Sequence, residues 1–404
     1  MSIHPTEAVH LQVPTARGCG REGGAAAARP TRSVALVGTY PPTACGIATF
    51  TSHLRAAIDG PEVGWRAAVV RLLDEPEPER SSEVIACWLR GDNRSLQHVL
   101  HQLDLFDAVL LQHEYGLFGG EDGADVLDLT AGVAVPLITV LHTVLRHPSA
   151  GQRRILDGLL EASALVIVQS RAARAQILEV HDADPALVAV VPHGAAENVT
   201  GPVACGVSGP IVLTWGLLSP GKGIEHGIEA LAALGTRLPA ASYIVAGQTH
   251  PKERAQRGEQ YRQSLQTTAR RLGVASRVHL ADGYRDWESL GALVRSADAV
   301  LLPYDSVDQV SSGVLVEAIA SGKPVVATRF PHAAELLRGG VGLLVPHGDA
   351  GAMAGALGRV LYEPGVAERL GEAARRASVA LLWPAVADAY RALIGQVIDA
   401  RVMT

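Results

Sequence analysis

The feature that most constrains this chain is a recurrence of short, unbroken Val-, Ile- and Leu-rich runs, separated by longer segments of helical period. The first set is SVALVG (33–38), AVLLQ (108–112), PLITVL (136–141), ALVIVQ (164–169) and LVAVVP (187–192). A second set follows: PIVLTW (210–215), SYIVAG (242–247), RVHLA (277–281), DAVLLP (298–303), PVVAT (324–328) and VGLLVP (341–346). Strict alternation would mark strands with one wet face. Continuous runs mark strands buried on both faces, hence parallel sheets with helices on each side. The polar, Gly-rich NVTGPVACGVSG (198–209) separates the sets and reads as an interdomain linker and hinge. The expected fold class is therefore α/β, with two doubly wound domains and a cleft between them. The expected divisions are a tail at 1–30, a first domain at 31–200, a second at 201–380, and a helical segment at 381–404.

Composition narrows the function. A chain of 404 residues exceeds one ordinary core. The net charge of -6 comes without a long basic block, which argues against a nucleic-acid partner. The four cysteines, Cys19, Cys45, Cys87 and Cys205, form no C-x-x-C pair and suggest neither zinc nor a disulfide framework. A reducing, cytoplasmic setting follows. No apolar run approaches a membrane span of ~18 residues, and no secretory apolar core opens the chain.

Doubly wound domains hold ligands at the carboxyl ends of their strands. After the first strand, TYPPTACGIATF places Gly46 at the start of a helix. This is either a close approach to an anion or sugar, or an ordinary βα loop with a capping glycine. After AVLLQ come His113, Glu114 and Tyr115, then Gly119 and Gly120, a cluster that favours a ligand site over a structural histidine. His142 follows PLITVL. It can hydrogen-bond a sugar hydroxyl, share a proton near neutral pH, or simply cap the strand. His193-Gly194 reads as turn geometry.

In the second half, TWGLLSPGKGIEHG (214–227) puts Gly216, Gly221 and Lys222 at a strand-to-helix turn. It approaches the P-loop pattern but has Gly223 where that loop needs a hydroxyl for Mg²⁺. SYIVAG also lacks the acidic residue that would hold the metal. Ser311, Ser312 and Gly313 look like a helix start. Glu317 follows one turn later among apolar neighbours, where two ribose hydroxyls would be suitable donors to it. Asp182-Ala183-Asp184 sits at the wrong end of its strand for a metal motif and reads as a solvated turn.

These pieces, in this order, resemble the retaining glycosyltransferases of the GT-B fold, family 4 (glycosyl transferases group 1), over about residues 33–390. The resemblance implies two Rossmann-like domains, with an acceptor domain first, a nucleotide-sugar donor domain second, and terminal helices strapping back across. PPTACGIATF matches the loop that faces the donor sugar, and VLHT places His142 near the transferred sugar. GLLSPGKG matches the phosphate turn, and QVSSGVLVE matches the E-x7-E signature. By that resemblance His142, Lys222 and Gln309 are catalytic. Gly46, Gly216, Gly221, Lys222, Ser311, Ser312, Gly313 and Glu317 bind the donor. Backbone amides of the serine-glycine start meet the diphosphate or sugar, and Glu317 holds the ribose. His113, Glu114 and Tyr115 lie on the acceptor or sugar side.

No cofactor or metal is expected. The substrate is a UDP- or GDP-linked sugar, and the acceptor is a glycan, lipid or small molecule, with room for peripheral association with a membrane. Two departures stand out. Leu217 replaces the family's basic residue, for which Arg329, Arg254 or Arg171 could substitute, and Gln309 replaces the first glutamate. They keep open a catalytically altered nucleotide-sugar-binding protein, beside a GT-B epimerase or phosphorylase. A P-loop phosphotransferase is more remote.

Overall fold

A computed structural model describes residues 32–78, 81–235, 240–283 and 285–402. The tail expected at 1–30 lies outside them. Each apolar run named above forms a strand. In the first sheet these are β1 (Arg32–Gly38), β4 (Ala108–His113), β5 (Leu137–Leu141), β6 (Leu165–Val168) and β7 (Val188–Val190), joined by β2 (Trp65–Leu73) and β3 (Val84–Leu89). The second sheet holds β8 (Ile211–Trp215), β9 (Ser242–Ala246), β10 (Val278–Ala281), β11 (Ala299–Leu302), β12 (Val325–Thr328) and β13 (Leu343–Val345).

The strand orders are β3-β2-β1-β4-β5-β6-β7 and β10-β9-β8-β11-β12-β13, and both sheets are parallel. Strands β2 and β3 were not anticipated. Arg66 and Arg71 interrupt the apolar pattern of β2, although Arg71 is buried and bonds Glu77 at 2.8 Å. β3 is an edge strand with a half-buried pattern.

The order reverses between β1 and β4 in one sheet and between β8 and β11 in the other. Crevices open at the carboxyl ends of such reversal points, because neighbouring loops leave in opposite directions there. Each sheet is covered on both faces. Val37, Leu111, Leu129 and Leu159 lie on one side of the first, and Leu36, Leu54, Val140 and Tyr390 on the other. Val212, Ile228, Leu231 and Met353 cover one face of the second, and Leu213, Leu302, Leu315 and Phe330 the opposite one.

The chain passes between domains twice, side by side. Ala195 N–H donates to Leu381 O at 2.8 Å, and Trp383 N–H donates to Ala195 O at 3.0 Å. The linker expected at 198–209 needs correcting as a hinge. Asn198 is buried, and its Nδ2 donates to Gly291 O at 3.0 Å and to Ser321 Oγ at 3.2 Å. The front of that segment is thus bolted to the second domain, because a buried carboxamide must be satisfied.

The helix Trp383–Val402 then returns to the first domain and packs against the helix Gly46–Ile58. Trp383, Val386, Tyr390 and Ile394 are buried there beside Leu54, Ile58 and Trp65. Large apolar side chains contribute about 1.5–3 kcal/mol each when fully buried. Arg391 Nη1 adds a bond to Ala57 O at 2.6 Å. Among the described residues no helix is long and apolar enough to cross a membrane.

Candidate active site

Three adjacent strands of the first sheet end in polar side chains. Gln112 is the penultimate residue of β4, while His142 and Gln169 follow β5 and β6 directly. Parallel pairing brings all three to one edge. His142 Nε2 lies 2.8 Å from Gln112 Oε1, and His142 Nδ1 lies 3.2 Å from Gln169 Nε2. A carboxamide oxygen only accepts and its nitrogen only donates, so His142 carries its proton on Nε2. Burial, with smaller effects from His193 and His113, pushes its pKa down to about 3. The ring is therefore a neutral hydrogen-bonding group, which corrects the expectation of proton sharing near pH 7. Phe50 meets it edge-on at 4.9 Å.

The network continues into the second domain. Ser311 Oγ donates to Gln169 Oε1, and Ser170 Oγ donates to Val310 O at 2.6 Å. Ser170 also caps the helix Arg171–Val180. Glu335 receives the Arg171 and Ala172 backbone N–H groups, each at 3.1 Å. A carboxylate from one domain thus sits on a helix N-terminus of the other, where its charge is favoured.

In the second domain, β8 ends at Trp215 and the chain turns through Gly216 into the short 3₁₀ segment Pro220–Lys222. Gly223 has φ 57°, and a Cβ there would stand 2.1 Å from Pro303 O. Only glycine accepts that left-handed, backbone-crowded position. The turn is thereby pressed onto the loop after β11, and Asp305 N–H donates to Gly221 O at 3.2 Å. Lys222 Nζ lies 4.2 Å from the centre of the Tyr304 ring, a cation–π contact. Among the described residues no carboxylate pairs with Lys222. Gly221 is exposed, with open space where a side chain would be.

The expected helix start is real: Gly313–Ala320 is a helix, and the Ser312 hydroxyl accepts from Leu315 N–H at 3.3 Å. One expectation fails. Ser312 N–H is taken by His332 Nδ1 at 2.8 Å, so it is not free for a diphosphate. Gly313 faces His193 instead, and a Cβ on it would lie 2.9 Å from His193 Nε2. One turn on, Glu317 Oε2 accepts from Trp215 Nε1 at 3.1 Å. Burial raises its pKa to about 7, against the opposing effect of that bond. Gln309 Nε2 donates to Ser311 O, within its own loop.

Other expected residues lie elsewhere. Gly46 opens its helix at an exposed position with free space around it. Glu114 accepts from Thr143 Oγ1, and burial raises its pKa despite that bond and the Lys252 charge. His113 and Tyr115 need correcting as ligand contacts. Both are turned into the first core, in edge contact at 5.0 Å, with His113 stacked on Phe118. Burial holds His113 down to about 3. Arg254 is 3.6 Å from Glu259. Asp184 accepts from Ala186 N–H at 2.8 Å, as a turn residue does. Among the described residues no three His, Cys, Asp or Glu side chains gather as they would around a metal ion.

The residues missed from sequence are Gln112, Gln169, Trp215 and His193. The first three share one signal, a polar-capable residue closing a buried run. His193 was noticed but read as a turn. It contacts Phe50 at 4.9 Å and Trp383 at 6.2 Å, and burial pushes its pKa to about 4.

Residues 206–377 match the family model described as Glycosyl transferases group 1. A D-inositol 3-phosphate glycosyltransferase of Corynebacterium glutamicum is 29% identical over 303 residues, 69% of this chain and 70% of that protein. An MMP alpha-(1->4)-mannosyltransferase of Mycolicibacterium hassiacum is 29% identical over 225 residues, 55% of this chain and 51% of its own length. Among solved structures, a sucrose-phosphate synthase from Thermosynechococcus elongatus superposes with a TM-score of 0.73 at 22% identity, covering 91% of this chain and all 100% of that one. HepE from Anabaena in complex with UDP-glucose gives 0.71 at 18% identity, covering 90% and 99%. With two parallel sheets whose strand order each reverses once, the chain has the GT-B fold, and its second domain, over residues 206–377, matches the family of glycosyl transferases group 1.

Proposed function

We propose that the enzyme moves a hexose from a UDP- or GDP-linked sugar to an acceptor hydroxyl with retention, and that Lys222 and backbone amides, not a bound metal, meet the leaving-group charge. One observation carries the reading. An ammonium, Lys222, and a carboxylate, Glu317, stand on the two elements that follow β8 and β11, and neither has an opposite charge beside it among the described residues. The first suits a diphosphate, whose negative charge grows as the anomeric C–O bond breaks. The second suits ribose hydroxyls, which can only donate to it. His142 is neutral and both its ring nitrogens are taken by Gln112 and Gln169, so it orders that network rather than bonding a sugar hydroxyl itself. HepE has been solved with UDP and with UDP-glucose, which supports a uridine donor. The name of the corynebacterial relative supports an inositol phosphate, beside a glycan, as acceptor.

A second reading, binding without turnover, is favoured by Gln309, whose amide is committed to Ser311 O rather than presented to a ligand. Product analysis with a panel of nucleotide sugars and hydroxylated acceptors separates the two. Glycoside formation with release of nucleoside diphosphate is expected. Calorimetric binding without donor consumption would establish the second reading, and free epimerised sugar or sugar phosphate would point to the other GT-B chemistries.

A further inference from the structure

The basic residues of this chain are lopsided: 32 are arginine and only three are lysine, Lys222, Lys252 and Lys323. Lys323 serves the fold, donating to Arg295 O and Ala297 O at 2.7 Å each. The other two have no such partners. Lys252 is exposed on the helix Pro251–Arg257, and among the described residues no carboxylate or carbonyl binds its ammonium.

Its position is nevertheless fixed. The loop after β9 runs alongside the phosphate turn: Leu218 N–H donates to Gln248 O at 2.9 Å, and His250 N–H donates to Leu218 O at 2.8 Å. His250 then caps the lysine's own helix, its Nδ1 accepting from Lys252 N–H at 3.2 Å. Burial holds the His250 pKa down, and the charges of Lys252 and Lys222 push the same way. From there Lys252 reaches the first domain. A Cβ on Gly116 would lie 2.9 Å from its Nζ and 3.4 Å from its Cε. Gly116 leaves the gap the lysine occupies, next to Glu114.

The phosphate turn and the serine-glycine helix start by themselves leave room for a further cation. A departing nucleoside diphosphate carries about two to three negative charges near pH 7, by the phosphate ionisation that also governs phosphorylated side chains. Lys222 supplies one positive charge, Leu217 supplies none, and Ser312 N–H is already used by His332. A compact ammonium on a flexible stem suits a phosphate as a point charge.

We infer that Lys252 is the second cation of the donor diphosphate, straddling the leaving group with Lys222 from the strand β9 side and touching the first domain as it does so. The inference rests on the proposed donor chemistry and adds a residue to it. It also makes leaving-group stabilisation depend on the two domains being together, since the same ammonium stands against Gly116.

Calorimetry with UDP, GDP, UMP and GMP on the enzyme tests it, using wild type, Lys252→Met, Lys252→Arg, Glu114→Gln and the double variant Lys252→Met with Glu114→Gln. Wild type is expected to bind one diphosphate. Lys252→Met weakens that binding about tenfold, the effect of one charged hydrogen bond, while monophosphate binding changes less than about twofold. Lys252→Arg recovers most of the loss. Unchanged melting confirms that the exposed variant folds. Diphosphate affinity of Lys252→Met within about twofold of wild type overturns the inference and leaves the donor reading standing. Wild type that binds no nucleoside diphosphate overturns both. If Glu114→Gln shows the same loss and the double variant no more, Lys252 acts only through Glu114, and the inference is wrong.

Discussion

The two domains share a plan and differ in what they show to the cleft. Each is a parallel sheet whose strand order reverses once. The first presents neutral groups: His142 and His193, held by burial to about 3 and about 4, with Gln112, Gln169 and Phe50 around them. The second presents formal charge at Lys222 and Lys252, beside Glu317, whose carboxyl pKa burial raises to about 7. Neutral donors and acceptors discriminate hydroxyl geometry without a large desolvation cost, whereas fixed charge is suited to a leaving diphosphate. The contrast therefore follows the proposed split between sugar and acceptor on one side and nucleotide on the other.

The contrast breaks most sharply at Lys222. Lys222→Ala should lower turnover roughly a hundredfold or more with melting unchanged, because one electrostatic donor to the transition state is worth ~3 kcal/mol. Steady-state kinetics showing near-normal kcat would remove the charged half of the comparison.

Next comes Glu317. Glu317→Ala should weaken donor binding about ten- to a hundredfold, the range for a charged hydrogen bond, with kcat less affected than KM. An equal loss of sugar-free uridine and guanosine binding would place the carboxylate on the nucleoside, as proposed; unchanged nucleoside binding would not.

A smaller effect is expected at Gln309. Restoring a carboxylate by Gln309→Glu should reduce turnover several-fold rather than raise it. The present amide donates to Ser311 O, a bond an ionised carboxylate cannot make, and losing such a bond costs about 1–2 kcal/mol. Faster turnover would mean that charge matters more there than loop geometry.

The smallest effect is a difference in pH slope. Buried imidazoles have folded pKa values below their ordinary 6.5, so the unfolded chain binds more protons between about 3 and 6.5. They make stability rise with pH through that window and add nothing above it. Glu317 acts oppositely. Its pKa is raised from 4.5 to about 7, so its ionisation costs stability as pH climbs through that range. Glu317→Gln keeps an acceptor for Trp215 and should show a melting-temperature advantage over wild type that grows from pH 5 to pH 8. A constant offset would contradict the burial argument.

The fold was legible wherever burial on both faces left unbroken apolar runs. It was hidden at β2, where Arg71 finds partners inside and so breaks the pattern without leaving the sheet. Of the candidate site, the local geometry was legible where one segment carries it, as in the glycine turn before Lys222 and the Ser312 helix cap. It was hidden where topology assembles it. Gln112, His142 and Gln169 are far apart in sequence and become one network only because β4, β5 and β6 are neighbours. Local pattern also could not show that His113, at a strand end, turns inward, or that Ser312 N–H already has His332.

The return of helix Trp383–Val402 onto Gly46–Ile58 has a consequence for biosynthesis. Synthesis runs from the amino end, and domains tend to fold as units as they emerge. The first domain here waits for a helix made after the second domain to cover Leu54, Ile58 and Trp65, while the strands and helices that cover the second sheet have already been made. A stalled or clipped chain lacking that helix would expose a greasy stripe on the first domain, a ready handle for chaperones and proteases.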